Sequence, residues 1–162
     1  MKTYIGTKII NATPMSRGEY NAYRGWTPPE GEDQAVDGYL VEYTDGGKAN
    51  DSRHAGYISW SPKEQFDNAY RETTGLTFGL AMEAMKKGAK VERKGWNGKG
   101  MFVYFVPPAS YPVQTGAAKS HFGEGSMVPY NGYMAIKNVD ETVSTWVPSI
   151  NDCLADDWMV LP

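Results

Sequence analysis

Cysteine is nearly absent from this sequence. Cys153 stands alone among 162 residues, which excludes an internal disulfide and points to a reducing compartment. Histidine is scarce too: His54 and His121 sit in polar stretches with no HxH, HExxH or Cys/His grouping beside them, so no metal site is expected. An excess of positive charge is missing. The formal net charge is −3, whereas gripping long DNA or RNA takes a basic stripe. Lys86, Lys87, Lys90, Arg93, Lys94 and Lys99 form only a local cluster, broken by Glu92, that suits a small anion. No apolar run approaches the roughly 20 residues of a membrane span, and the first residues lack a signal-peptide layout. No Gly-x-Ser-x-Gly elbow or P-loop occurs. Asp152, Asp156 and Asp157 read as helix caps or surface charges, with catalytic acids as the alternative. The expectation is a non-enzymatic protein without cofactor, membrane or nucleic-acid polymer.

Aromatic residues, by contrast, are abundant at 13%, with five Trp and eleven Tyr. Trp and Tyr join a flat apolar face to a polar handle, so they serve stacking sites as well as cores. The chain is long enough for one ordinary domain or two small modules. Strands are expected over 1–12, 38–47, 56–60, 89–96 and 101–107, with a hairpin over 132–148 and a final strand. Helices are expected over 16–23, capped by Ser16 with Glu19 three residues on, over 61–70 with Ser61 as cap, and over 77–87 with Thr77 as cap. Residues 71–75 read as a linker, and 107–131, rich in Pro and Gly, as a long loop. The fold class is α+β: small antiparallel sheets with short helices.

The halves echo each other. "RGW" at 24–26 parallels "KGW" at 94–96, "GYLVEY" at 38–43 parallels "GYMAIK" at 132–137, and "SWSP" at 59–62 parallels "TWVP" at 145–148. The order is the same in both halves. Two copies of one unit would produce this pattern, as would recurring strand-turn pieces.

The stretch "RKGWNGKGMFVYF" (93–105) carries the binding chemistry. Asn97-Gly98 favours a tight hairpin turn, which would expose backbone N–H groups beside the Trp96 indole. Asn97 offers a donor and an acceptor, and Arg93, Lys94 and Lys99 can neutralise phosphate. A stacking face, an amide and local cations make a nucleotide-sized pocket, with Tyr104, Tyr133 and Trp146 as further walls. Core packing and a plain turn remain the alternatives for these residues. The strand "MFVYFV" does not alternate, so both its faces call for burial. A module of about 85 residues hides only about 60% of its unfolded surface. A homo-oligomer with pockets near subunit boundaries is therefore expected.

"LTFGLAMEAMKKGAKVERKGWNGKGMFVYFVPPASY" followed by "YMAIKNVDETVSTWVPSINDCLADDWMVL" resembles the Thoeris anti-defence 2 family of phage proteins over Leu76 to Leu161. The resemblance implies a sponge acting in the cytoplasm of the infected host. It would sequester, uncleaved, a cyclic ADP-ribose isomer such as glycocyclic ADP-ribose, and with it cyclic di- or trinucleotides of cGAS-like defence (CBASS). It also implies a homotetramer with sites at subunit interfaces. Carried onto this sequence, Trp96 or Trp146 would stack on adenine. Asn97, Ser149 and Asp152 would bond ribose or base edges, and Arg93 and Lys94 would face the diphosphate. A hydrolase of the same signal, or a protein-inhibitor module, is the alternative. Residues 76–162 form the expected sponge domain. Residues 1–72 are expected to form a separate module, recurrent in phage proteins, whose role the resemblance does not supply.

Overall fold

The computed structural model describes residues 1–162. Two compact units divide the chain, Met1–Arg71 and Glu72–Pro162, and the architecture is α+β in each.

Unit 1 runs β1 (Ile10–Pro14), α1 (Arg17–Arg24), β2 (Gly38–Tyr43), β3 (Tyr57–Pro62) and α2 (Lys63–Ala69). The strands form an antiparallel sheet in the order β1-β2-β3. Strand β1 starts at Ile10 rather than near the first residue. Ile10 pairs with Tyr43, and past Tyr43 the chain turns away through Asp45-Gly46-Gly47, so the β1–β2 ladder ends there, with Ile9 and Lys8 held by side-chain bonds to Thr44 and Asp45. The Ser16–Glu19 capping box forms as expected, and Gly25 closes α1 in the left-handed conformation at φ 66°. In α2 the cap is Pro62 without a side-chain bond, not Ser61, because Ser61 and Pro62 still pair in the sheet with Tyr39 and Gly38. Tyr20, Leu40 and Ile58 form the core. Phe66 stacks on Tyr39 and Tyr70, at ring-centre distances of 4.1 and 4.9 Å.

Unit 2 comprises α3 (Phe78–Lys86), β4 (Lys90–Arg93), β5 (Phe102–Val106), β6 (Ala109–Pro112), α4 (Gly116–Phe122), β7 (Met127–Tyr130), β8 (Tyr133–Lys137), β9 (Val143–Trp146), α5 (Ile150–Cys153) and β10 (Trp158–Leu161). Its main sheet has the order β10-β4-β5-β8-β9, and β6 and β7 pair separately. The segment expected as a loop, 107–131, thus carries a hairpin and a helix. Thr115 caps that helix through its hydroxyl, a signal that the Pro-Gly composition obscured. Helix α3 packs on β4, β5 and β10 and buries Ala81, Ala84 and Met85 against Val91, Val103 and Trp158.

Strand β5, expected to bury both faces, has no exposed residue, but only one of its faces lies in the core. Val103 has no accessible surface and Phe105 packs on the same core. Phe102, Tyr104 and Val106 alternate onto the other face and are partly buried; on that face Ala135 is fully buried while Tyr133 and Val143 are exposed. Within unit 2 the unbroken apolar run therefore has one face in the core and a second face that is only partly covered.

The internal echo has a structural counterpart. β1-α1-β2-β3-α2 and β5-α4-β8-β9-α5 share element order, with the β6-β7 hairpin framing α4. Registers agree too: Leu40 lies between Thr13 and Trp60, and Met134 between Phe105 and Trp146. The Gly-Trp corners are not equivalent. Gly25 ends a helix after the first strand of its meander, whereas Gly95 precedes β5.

Candidate ligand-binding site

Three indoles gather in unit 2. Trp158 is fully buried. Trp96 and Trp146, both half-buried, meet it edge to face at 5.4 and 6.0 Å and meet each other at 6.1 Å, separations at which aromatic rings attract. Phe78 closes the group at 5.5 Å from Trp158 and 6.3 Å from Trp146.

The position of Trp96 is fixed by Asp152. Ser149 caps the short helix α5, and Asp152 returns a bond to the Ser149 N–H, completing a capping box. The Asp152 carboxylate accepts from Ser149 N–H (2.9 Å), Ser149 Oγ–H (2.7 Å), Arg93 Nη1 (3.0 Å) and Trp96 Nε1 (3.2 Å). Burial pushes its pKa up. The Ser149, Arg93 and Trp96 bonds outweigh that and hold it at about 2. The backbone carbonyl of the same residue accepts the Trp158 Nε1–H at 3.0 Å. One residue thus anchors two of the three indoles.

Arg93 sits between two acids. Its Nε donates to Asp157 at 2.7 Å and its Nη1 to Asp152. The guanidinium lowers the Asp157 pKa, aided by the Gly95 N–H at 2.8 Å. A Cβ at position 95 would lie 2.8 Å from Asp157 Oδ2, so glycine is needed for that approach. With Lys94 N–H on the Asp157 carbonyl and Trp96 N–H on the Arg93 carbonyl, residues 93–96 are bound to the segment before β10. The β4–β5 connection is consequently wider than the expected two-residue Asn-Gly turn, and its left-handed residue is Gly100 at φ 74°.

The expected site residues fall into two groups. Arg93, Trp96, Trp146, Ser149 and Asp152 come together, with Lys94 and Asn97 exposed beside them on the same connection. Tyr104 and Tyr133 lie on the opposite face of the sheet: Tyr104 pairs with Ala135, and Tyr133 neighbours the core-facing Met134. Arg93 is occupied by carboxylates rather than open toward solvent, which leaves Lys94 and Lys99 as the exposed cations of this connection. Sequence reasoning missed Trp158, Asp157 and Gly95 as parts of this assembly. Only the "DW" pair at 157–158 and the Gly-Trp pair at 95–96 hinted at it, since partners some 60 residues apart leave no periodic signal.

Chemically, the site offers flat aromatic edges, an exposed amide and a lysine. Its two carboxylates remain ionised at neutral pH and serve as acceptors for Arg93, which makes neither a proton donor. Val147, Ile150 and Leu154, 75–84% exposed, form an apolar rim around α5 beside Trp146.

The family model of the Thoeris anti-defense 2-like domain matches residues 76–161, which lie inside unit 2. Thoeris anti-defense 2 of Bacillus phage SP01 is 37% identical over 89 residues, an alignment covering 54% of this chain and 97% of that protein. More than half of the sequence thus falls under one family model, and the chain belongs to the Thoeris anti-defense 2-like family.

Proposed function

We propose that unit 2 is an anti-defence sponge that captures a cyclic ADP-ribose isomer, such as glycocyclic ADP-ribose, and holds it uncleaved in the infected host's cytoplasm. The observation that carries this reading is the half-buried indole pair Trp96–Trp146, with Trp96 fixed by Asp152, beside the exposed amide of Asn97 and the cation of Lys94. Family membership supports the anti-defence role. No helix is long and apolar enough to cross a membrane.

In this reading the adenine stacks on Trp96 or Trp146, an interaction worth about 1–3 kcal/mol per base. Asn97 bonds a ribose hydroxyl or base edge, and Lys94 meets the diphosphate. Arg93, Ser149 and Asp152 act as positioning residues, since their polar groups already satisfy one another. Tyr104 and Tyr133 reach a ligand only across a subunit boundary. The protein is accordingly a homo-oligomer, a tetramer being favoured, that covers the second face of the main sheet and the Val147-Ile150-Leu154 rim. Cyclic di- and trinucleotides share the base-plus-phosphate chemistry and are further ligands.

Ionised, arginine-paired carboxylates argue against general acid catalysis and favour capture over hydrolysis. Calorimetry against a panel of cyclic ADP-ribose isomers and cyclic dinucleotides tests the reading. Lys94→Ala and Asn97→Ala replace exposed side chains, so they should weaken binding about tenfold each while the fold stays intact. Unchanged affinity in both variants would remove this connection from the site.

A further inference from the structure

A cleft in unit 1, between α1 and the end of β3, is used by nothing described so far. Its volume is about 320 Å³, at the lower end for small-molecule pockets. Arg17, Tyr20, Asn21, Arg24, Trp26 and Trp60 are its principal walls, and no carboxylate lines it. Both guanidiniums lie over indoles: Arg17 is 4.2 Å from the Trp60 ring centre and Arg24 is 4.5 Å from that of Trp26.

The acids that orient these cations stand behind the lining. Glu32 accepts from Arg17 Nη1 at 3.0 Å and from Asn21 Nδ2 at 2.8 Å. Asp51 lies 3.9 Å from Arg24 Nε, and Arg24 also donates to Tyr20 Oη and the Asn50 carbonyl. A guanidinium has five N–H donors, and the bond from Arg17 to Glu32 engages one of them. Trp26 follows the left-handed Gly25, is held edge-on by Tyr20 at 5.9 Å, and is still 53% exposed. An indole fixed in place with half its surface open is prepared for a planar guest. Trp60 is fixed as well, its Nε1–H bonded to the Met15 carbonyl at 2.9 Å.

Two cations and no acid in the lining, within a protein of net charge −3, select an anion. The surface of the Trp26 indole that Arg24 and Tyr20 leave exposed selects a flat ring. We propose that this cleft is a separate nucleotide site: it takes a mononucleotide, the base against Trp26 and the phosphate on the outward Arg17, with Arg24 behind. The site stands on unit 1 alone and holds whether or not unit 2 captures a signal.

The test uses ¹⁵N-labelled full-length protein, whose five tryptophans each give one indole N–H signal, assigned by single Trp→Phe variants. Titration with AMP should shift the Trp26 and Trp60 signals saturably, and should still do so in Trp96→Phe protein. Adenosine and inorganic phosphate should each bind at least about tenfold more weakly than AMP, and Arg17→Ala should weaken AMP about tenfold. Trp26 and Trp60 signals unmoved at millimolar AMP would overturn the proposal. So would shifts confined to Trp96, Trp146 and Trp158, or binding of a single-stranded oligonucleotide without binding of AMP. Should Arg17→Ala fail to fold, Arg17→Gln replaces it, and unchanged AMP affinity in that variant likewise overturns the proposal.

Discussion

Replacing Asp152 with asparagine keeps the side chain's shape and removes its charge. The carboxylate accepts four hydrogen bonds, from the Ser149 N–H and Oγ–H, Arg93 and the Trp96 indole. An amide offers one oxygen and an NH2, so whichever way the substituted side chain turns, its NH2 faces donors. Keeping oxygen toward Arg93 and Trp96 sets NH2 against the Ser149 N–H and forfeits the returning half of the capping box, about 1 kcal/mol. The opposite flip sets NH2 against Arg93 and Trp96, leaving a half-buried guanidinium one acceptor short, about 1.5–3 kcal/mol. Either way the net loss, with the lost charge included, is about 2–3 kcal/mol, concentrated in unit 2. For a unit of this size, melting should fall by about 10–20 °C. Urea unfolding followed by tryptophan fluorescence measures it, because Trp96, Trp146 and Trp158 all report on this region. A change below about 0.5 kcal/mol, the size of an ordinary surface substitution, would refute the assignment of Asp152 as the keystone of the indole cluster.

Acid should reproduce part of the same loss. The Asp152 pKa is depressed from 3.8 to about 2 in the folded state. Its contribution, about 2 kcal/mol, is complete above about pH 4 and disappears as pH falls from about 4 to 2, so the stability gap between wild type and Asp152→Asn should close over that window. Val103→Asp places an unpaired charge where no surface is accessible and should unfold unit 2, costing about 4 kcal/mol or more by denaturant titration. Tyr104→Asp, on the opposite face, should keep the circular dichroism spectrum and lower the particle mass in light scattering. Gly95→Ala sets a methyl 2.8 Å from Asp157 Oδ2 and should cost about 1–2 kcal/mol by the same denaturant titration.

Local signals read well from the sequence. The Ser16–Glu19 box and the Thr77 start of α3 act within one or two helical turns, so spacing alone reveals them. The order of GYLVEY before SWSP and of GYMAIK before TWVP was also legible, and each pair forms adjacent antiparallel strands. What escaped was long-range. Asp157 meets Arg93 and Gly95 across more than 60 positions, and Trp158 reads locally as a strand aromatic rather than the centre of an indole cluster. The partial cover on one face of β5 was equally hidden, because a run such as "FVYFV" looks the same whatever its second face meets. Thr115 capping α4 was lost among prolines and glycines.

The most direct test of capture without cleavage is recovery of the bound molecule. Purified protein is incubated with a cyclic ADP-ribose isomer, separated from free ligand, denatured by heat, and the supernatant is weighed by mass spectrometry. Release of the unaltered ring in proportion to protein is the predicted result. Linear ADP-ribose in the supernatant, or no nucleotide retained at all, would contradict it.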